Sequence, residues 1–290
     1  MTTTSTNRPS THTSSTEERT ATVRANGIDI HYVEIGSGPP LVLLHGGLVT
    51  TNPVWTPTPV AYQAHLAALA RHFRVIAPDQ RGSGRTIHSA GAITMSLVAD
   101  DVAALIGALG LDRPMVCGFS EGGLTATILA IRHPGSVGAL VNDAGYDCLN
   151  PQAGIFTAGR VLLGGRLDAT VADPDAAEAN FGADPGMKAV FELMKTDQDS
   201  GQGPGHWRTY LSTTFDRWTR WPGYGLADLE RIKVPTLVLV GDRDDFCTVE
   251  EGCQTFRSLP RGELAVLPDT GHEITQGKMA VLTDFLSRHV

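Results

Sequence analysis

Short apolar runs alternate with amphipathic segments along most of the chain. The runs at residues 40–44, 73–77 and 115–119 are almost wholly apolar, which is typical of strands buried on both faces of a sheet. Residues 94–109 instead place apolar side chains every three or four positions, which predicts an amphipathic helix. This alternation predicts an α/β fold with a mostly parallel central sheet and helices on both of its faces.

Two stretches depart from this alternation. Residues 2–20 hold twelve serines and threonines and no aliphatic or aromatic side chain, so we expect residues 1–20 to be a disordered tail. Residues 147–225 break the strand–helix order, and three of the four tryptophans fall there: Trp207, Trp218 and Trp221. An aromatic-rich insertion between two halves of an α/β core predicts a helical lid over a site. The expected core is residues 21–146 together with 226–290.

Composition and charge narrow the classes of partner. The formal net charge of −8 and the pI near 5.6 argue against nucleic acid or an anionic membrane. No apolar run approaches the length of a transmembrane helix. The four cysteines show neither a Cys-x-x-Cys pair nor metal-ligand spacing, and Cys117 lies in a predicted buried strand. A reduced thiol there favours a cytoplasmic location. The sequence leaves the oligomeric state open.

Residues 115–123 (Met-Val-Cys-Gly-Phe-Ser-Glu-Gly-Gly) join a predicted strand directly to a predicted helix. So abrupt a turn leaves little room for side chains, and glycine stands on both sides of Ser120, at Gly118 and Gly122. The serine hydroxyl would then be exposed above a helix N-terminus. Because a serine hydroxyl is a poor nucleophile, it needs a base within hydrogen-bond reach and an acid that orients this base.

Candidates for the base and the acid follow the last two predicted strands. His272 follows the strand at 264–267, and three aspartates follow the strand at 234–240: Asp242, Asp244 and Asp245. Functional loops gather at the carboxyl edge of a parallel sheet, so we expect these side chains near the serine. Position along the chain alone leaves all three aspartates open as the acid.

Five motifs occur in an order that resembles the α/β-hydrolase superfamily, in its lidded, esterase-like branch. They are His-Gly-Gly at 45–47, Asp-x-Arg-Gly-x-Gly at 79–84, Gly-x-Ser-x-Gly at 118–122, Gly-x-x-Asp at 241–244 and Gly-His at 271–272. The resemblance covers about residue 21 to residue 290. It implies the α/β-hydrolase fold with a helical lid.

The resemblance also assigns roles to residues of this sequence. It implies that Ser120 is the nucleophile and His272 the base. It implies Asp244 as the acid, because this aspartate ends the Gly-x-x-Asp motif. Backbone N–H groups of Gly47 and Glu121 are expected to form the oxyanion hole. No cofactor and no metal ion are implied.

The acidic side chain beside the nucleophile, Glu121, has two interpretations. A carboxylate at a helix N-terminus is favoured by the helix dipole, which is the simpler explanation and the one we favour. Alternatively, the carboxylate faces the pocket and selects cationic acyl groups, which would resemble the amino-acid-ester hydrolases of the superfamily.

The predicted function is that of a cofactor-free serine hydrolase that cleaves a small carboxylic ester or lactone through an acyl-enzyme on Ser120. Haloalkane dehalogenases and epoxide hydrolases of the superfamily use aspartate at this turn, so Ser120 argues against both. Carbon–carbon bond hydrolases and perhydrolases keep related residues and stay open. A non-catalytic ligand receptor is the alternative from another class, and a burst of product from an activated ester would discriminate it.

Overall fold

The computed structural model describes residues 18–48, 65–88, 91–145, 172–183, 185–220 and 223–290. Eight strands in this part of the chain form a single sheet. The strands are β1 (Arg19–Ala25), β2 (Ile28–Ile35), β3 (Pro40–Leu44), β4 (Arg74–Pro78), β5 (Met115–Phe119), β6 (Ala139–Asp143), β7 (Thr236–Gly241) and β8 (Gly262–Leu267).

The sheet is mostly parallel, in the order β1-β2-β4-β3-β5-β6-β7-β8. Only the pairings of β1 with β2 and of β2 with β4 are antiparallel within this sheet of described strands. The central strands β5, β6 and β7 are buried along their whole length, which explains their nearly continuous apolar sequence. The predicted α/β fold is therefore confirmed.

Helices flank this sheet, and local sequence explains where several of them begin. The helices are α1 (Leu66–Leu69), α2 (Met95–Ala108), α3 (Glu121–Arg132), α4 (Pro174–Gly182), α5 (Pro185–Gln202), α6 (His206–Thr219), α7 (Val249–Ser258) and α8 (Gln276–Ser287), with a 3₁₀ helix at Leu226–Arg231. Thr94 Oγ1 accepts from Leu97 N at 3.1 Å and caps α2. Thr248 and Glu251 cap α7 by bonding each other's backbone N–H groups.

The helices α4, α5 and α6, here called the insertion helices, lie in the chain between β6 and β7. They share an apolar cluster of their own, in which the rings of Phe181 and Phe191 stack with centroids 4.8 Å apart. Polar contacts attach α5 to the loop after β4. Gln198 Oε1 accepts from Gly84 N at 3.0 Å, and Gln202 Nε2 donates to Gly84 O at 3.0 Å. The insertion helices therefore rest on a loop of the core.

Element boundaries differ from the expectations in a few places. β1 begins at Arg19, two residues before the expected start of the core, because Arg19 stands opposite Glu34 in the sheet and bonds its carboxylate at 2.6 Å. The stretch Val137–Val141 predicts a strand, and β6 begins two residues later than this, at Ala139. The apolar spacing of Leu66, Leu69 and Ala70 predicts a helix over residues 61–72. Of this range, α1 covers Leu66–Leu69, residues 70–72 form a turn, and residues 61–64 lie outside the described residues. The tail up to residue 17, the segment 146–171 and Trp221 lie outside the described residues.

Cys117, Cys247 and Cys253 are thiols and not disulfide partners, while Cys148 lies outside the described residues. Within the described ranges, no helix combines the length and the apolar character that crossing a bilayer requires. The cytoplasmic location stays a prediction.

Candidate active site

The turn between β5 and α3 holds Ser120 in a conformation that residues with a Cβ rarely adopt. Its φ is 53° and its ψ is −122°. Such strain persists only where the surroundings impose it. Here Ser120 N donates to Asp143 O at 2.8 Å, and a Cβ at Gly118 would overlap the Gly122 carbonyl group. The two flanking glycines thus allow β5 and α3 to meet closely and present the serine at the turn.

His272 lies between Ser120 and Asp244. Its Nε2 is 3.1 Å from Ser120 Oγ, and its Nδ1 is 2.9 Å from Asp244 Oδ2 and 3.1 Å from Oδ1. Because a carboxylate can only accept, Nδ1 carries the proton, and Nε2 is left as an acceptor facing the serine hydroxyl. The structure thus brings the three predicted residues together in the order that base-assisted attack requires. Their catalytic roles stay predictions.

Asp244 is held from both sides of its carboxylate. The side chain is fully buried, and Oδ1 accepts from Phe246 N and Cys247 N, each at 2.9 Å. Burial alone would raise the pKa of this carboxyl group. The hydrogen bond from His272 and its electrostatic attraction, together with the two backbone N–H groups, outweigh burial and hold the pKa of Asp244 below its ordinary value. Asp244 is therefore ionised at neutral pH.

The other two candidate aspartates do not share this environment. Asp242 and Asp245 are both exposed. Asp242 Oδ1 accepts from Thr270 N at 3.3 Å and so bonds the backbone of the loop that carries His272, not its ring. Of the three aspartates, Asp244 is the one whose carboxylate meets the imidazole.

The His272 ring is packed between two aromatic rings. Its centroid lies 4.8 Å from that of Phe119 and 4.8 Å from that of Phe246. Asp244, Cys247 and His272 also place their potential metal-binding atoms within 4.8 Å of one another. However, the carboxylate and the imidazole are bonded to each other, and Cys247 Sγ donates to Ala144 O at 2.8 Å. We therefore interpret this cluster as an acid–base pair beside a buried thiol.

A buried histidine orients the loop after β3. His45 Nδ1 lies 2.7 Å from Gly46 O, and Gln80 N donates to His45 Nε2 at 3.0 Å. These partners require a neutral ring with the proton on Nδ1, and burial lowers the pKa of His45 in agreement. The N–H and C=O of one trans peptide point in opposite directions. By holding Gly46 O, His45 therefore sets the direction of the Gly47 N–H, the first expected oxyanion donor.

The insertion helix α6 meets this loop. The Tyr210 hydroxyl donates to Gly47 O, and burial raises the pKa of Tyr210, so the phenol keeps its proton. A Cβ at Gly47 would overlap the Trp218 ring and would lie 2.7 Å from Glu121 Oε2. The loop that carries Gly47 and the residue that carries the second expected donor, Glu121, are therefore adjacent. Whether their N–H groups receive an oxyanion stays a prediction.

The Glu121 side chain is buried and bonded to α6. Arg217 Nη2 lies 2.7 Å from Glu121 Oε1, with each side chain 3% exposed, and Trp218 Nε1 donates to Glu121 Oε2. The helix dipole alone therefore does not account for Glu121, because two side chains of α6 also bind its carboxylate. Selection of a cationic acyl group would need a carboxylate without a cation, whereas Arg217 already pairs with this one. Sequence reasoning missed Arg217 and Tyr210 and noted Trp218 only as part of an aromatic-rich segment. A buried carboxylate needs a cationic partner, but nothing in the sequence indicates that Arg217, so many residues after Glu121, is that partner.

Comparisons with known proteins agree with this architecture. A family model described as alpha/beta hydrolase fold matches residues 39–275. The putative carbamate hydrolase RutD of Caulobacter sp. strain K31 is 31% identical over 281 residues, which cover 91% of this chain and 98% of that protein. The 2-hydroxy-6-oxo-2,4-heptadienoate hydrolase of Pseudomonas putida is 27% identical and covers 91% of this chain and 95% of its own.

Among solved structures, Est816 is described as an N-acyl homoserine lactone degrading enzyme. It superimposes with a TM-score of 0.65 at 27% identity, over 93% of this chain and all of that one. The family match spans most of the chain, and the Caulobacter relative aligns over nearly its whole length. The resemblance predicted from the five motifs is confirmed: the chain belongs to the α/β-hydrolase family.

Proposed function

We propose that this family member is a serine hydrolase that cleaves a small carboxylic ester or lactone through an acyl-enzyme on Ser120, without a cofactor. One observation carries the proposal. Contacts run without a break from Ser120 Oγ to His272 Nε2, at 3.1 Å, and from His272 Nδ1 to Asp244 Oδ2, at 2.9 Å. The lactone-degrading activity named for Est816 supports the choice of substrate class.

Acylation begins when Ser120 Oγ attacks the acyl carbon and His272 Nε2 takes the hydroxyl proton. The carbonyl electron pair moves onto oxygen, and the N–H groups of Gly47 and Glu121 receive the resulting oxyanion. When the intermediate collapses, the bond to the leaving oxygen breaks and this oxygen takes the proton from His272 Nε2. An alcohol departs, or in a lactone stays attached to the acyl chain, and Ser120 is acylated.

Deacylation repeats these steps with water. His272 Nε2 takes a proton from water as its oxygen attacks the acyl carbon, and the same N–H groups receive the second oxyanion. Collapse breaks the bond to Ser120 Oγ, which recovers its proton from His272. Throughout, ionised Asp244 keeps Nδ1 protonated and stabilises the positive charge that the imidazole carries. The residues in place thus supply the nucleophile, the base and the donors.

The insertion helices are proposed to be the lid of this site. Three side chains of α6 reach the catalytic turn and the loop after β3: Tyr210 bonds Gly47 O, whereas Arg217 and Trp218 bond the Glu121 carboxylate. A lid attached at these points would cover the expected oxyanion donors and limit the size of the acyl group.

The proposal is tested by removing the nucleophile. Ser120→Ala should reduce kcat on a p-nitrophenyl ester by about 10⁴- to 10⁶-fold, because only oxyanion-hole and binding effects remain. Ser136→Ala is the matched control, because its hydroxyl donates only locally, to His133 O at 2.8 Å. An organophosphonate should label Ser120 stoichiometrically, as mass spectrometry of the digest would report. Labelling elsewhere with Ser120 untouched would overturn the mechanism.

Two further arms separate the alternatives. A ligand receptor would release no more p-nitrophenol than Ser120→Ala does. A serine hydrolase releases it catalytically, with a burst equal to the protein concentration when deacylation is slower than acylation. The relative named putative carbamate hydrolase favours a carbamate as the second candidate substrate. An ester, a lactone and a carbamate with matched acyl groups should therefore be compared by kcat/KM, and a preference for the carbamate would overturn the ester or lactone assignment.

A further inference from the structure

A buried negative charge lies beside the expected oxyanion hole. The Glu121 side chain is 3% exposed, and its Oε2 is 2.7 Å from the position that a Cβ of Gly47 would take. The backbone N–H of Glu121 is itself the second expected donor. A carboxylate in this place would repel the negative charge that develops on the substrate oxygen. Hydrolysis at this turn therefore requires a cation that balances the carboxylate.

Arg217 of α6 is that cation. Its Nη2 lies 2.7 Å from Glu121 Oε1, while Trp218 Nε1 occupies the other carboxylate oxygen. A guanidinium stays charged at all working pH values. Arg217 Nε is buried and finds no acceptor among the residues that the structure describes, while Nη2 also donates to Thr214 Oγ1 at 3.3 Å. The ion pair with Glu121 gives this buried guanidinium a counter-charge. The two side chains form an electrically neutral unit next to the nucleophile.

We propose that Arg217 is a positioning residue for the hydrolysis: it neutralises and orients the Glu121 carboxylate, so that an oxyanion forms beside it and uncharged acyl groups are preferred. This inference rests on the proposed acyl-enzyme mechanism at Ser120. Without Arg217, the same carboxylate would oppose the oxyanion and would attract an ammonium group on the acyl chain. The cation preference considered for Glu121 is thus a property that Arg217 suppresses.

An order-of-magnitude Coulomb energy gives the size of the effect. Two unit charges about 5 Å apart in a partly buried site interact strongly enough to change a rate by about 10²-fold. Solvent that enters the space left by a shorter side chain would weaken this repulsion. We therefore expect Arg217→Met to reduce kcat/KM for a neutral ester by roughly 10- to 100-fold.

The test is a double-mutant cycle with two substrates. Arg217→Met and Glu121→Gln are each made alone and together. Arg217→Met is also combined with Glu263→Gln as the matched control, because Glu263 pairs with Arg288 on the surface at 2.7 Å. Rates are measured on p-nitrophenyl propionate and on the p-nitrophenyl ester of alanine, which differ by one ammonium group. Titration of Ser120 with the phosphonate gives the concentration of competent sites, so that each rate refers to folded enzyme.

Adding Glu121→Gln to Arg217→Met should raise kcat/KM on the propionate ester at least about tenfold, because it removes the unbalanced charge. Glu263→Gln should give no such recovery. The ratio of rates for alanine and propionate esters should rise in Arg217→Met and fall again in the double variant with Glu121→Gln. A pair that acts only through packing would give neither the recovery nor the change in ratio, and either absence would overturn the inference.

If Arg217→Met fails to fold, Arg217→Lys and Arg217→Gln can be used to compare a charged with an uncharged side chain at this position. The lysine keeps the charge and should retain at least about ten times the activity of the glutamine variant on the neutral ester. Equal activities would contradict a role for the charge. Failure of Ser120 to react with the phosphonate in the unmodified enzyme would overturn the proposed function itself. If Ser120 is labelled normally but Glu121→Gln does not restore kcat/KM in Arg217→Met, only the role of Arg217 is overturned.

Discussion

Replacing Asp244 by asparagine tests the acid with almost no change of shape. Asp244 Oδ1 accepts from two backbone N–H groups, those of Phe246 and Cys247, whereas Oδ2 is the oxygen closer to His272 Nδ1. In Asp244→Asn the amide oxygen must stay at the Oδ1 position, because an NH₂ group there would face two donors. The NH₂ group therefore faces His272 Nδ1, which must then give up its proton and accept.

This exchange moves the imidazole proton to Nε2, the nitrogen 3.1 Å from Ser120 Oγ. The base can then no longer accept the serine proton. A wrong tautomer of this kind lowers kcat by about 10⁴-fold in a serine protease triad, which corresponds to about 5 kcal/mol of transition-state stabilisation. We expect a loss of about 10³- to 10⁴-fold here, with the fold retained because both backbone bonds to Oδ1 survive.

The assay compares three asparagine variants on one activated ester. Asp242→Asn and Asp245→Asn are the matched controls, because both side chains are exposed and neither meets the imidazole. We expect each to stay within about threefold of the unmodified enzyme, since exposed substitutions rarely disturb a structure. Nitrogen NMR of His272 reports the tautomer directly, with the proton on Nδ1 in the unmodified enzyme and on Nε2 in Asp244→Asn.

Two results would refute this reasoning. A loss below about tenfold in Asp244→Asn would show that the carboxylate does not control the base. A larger loss in Asp242→Asn would show that the loop after β7 presents a different acid to His272. Because the prediction concerns the position of a proton, an unchanged NMR tautomer in Asp244→Asn would also refute it, whatever the rate.

Three further substitutions test the surroundings of the site. Tyr210→Phe leaves the buried Gly47 carbonyl without its donor, so unfolding in urea should show a loss of about 1–3 kcal/mol, and no loss would mean that the bond is unimportant. Gly122→Ala presses a Cβ against the backbone of β3 and should lower Tm, whereas Gly107→Ala, which meets nothing within 4 Å, should not. Burial lowers the pKa of His45, so below about pH 6.5 the unfolded chain takes up a proton that the folded protein refuses. The free energy of unfolding should therefore fall as the pH drops below about 6.5, and His45→Asn should reduce this slope.

The features that sequence predicted well are those that neighbouring residues determine. The pair Asn26-Gly27 is a strong hairpin signal in the sequence, and the two residues adopt the φ values of 45° and 78° that a tight turn between β1 and β2 requires. The parallel strands can be recognised in the sequence because burial on both faces leaves them with almost no polar residues. Ser120 could be placed at a turn because glycine on both sides is the local condition for that turn. In each case the physical requirement acts within a few residues.

The choice among three aspartates shows where such reasoning ends. Asp242, Asp244 and Asp245 differ by only a few positions, and their spacing does not state which side chain faces inward. In the structure, the Phe246 and Cys247 N–H groups draw the Asp244 carboxylate back toward its own loop, and His272 meets it there. This arrangement depends on how the loops after β7 and β8 pack together. Only the resemblance to a family, and not the spacing, could indicate Asp244.

Glu121 shows a stronger limit, because the side chains that its carboxylate contacts lie far away along the chain. Its position beside Ser120 favours the helix-dipole explanation and leaves selection of a cationic acyl group as the alternative. The carboxylate is instead met by two consecutive residues of α6, of which Trp218 lies 97 positions along the chain. If a substrate ammonium group replaced Arg217 at the Glu121 carboxylate, the buried guanidinium would lose this counter-charge, which is costly. Under the proposed role of Arg217, the charge that a substrate meets is that of the pair, which is zero, so the preference for acyl groups would be decided jointly by the turn that carries Ser120 and by α6.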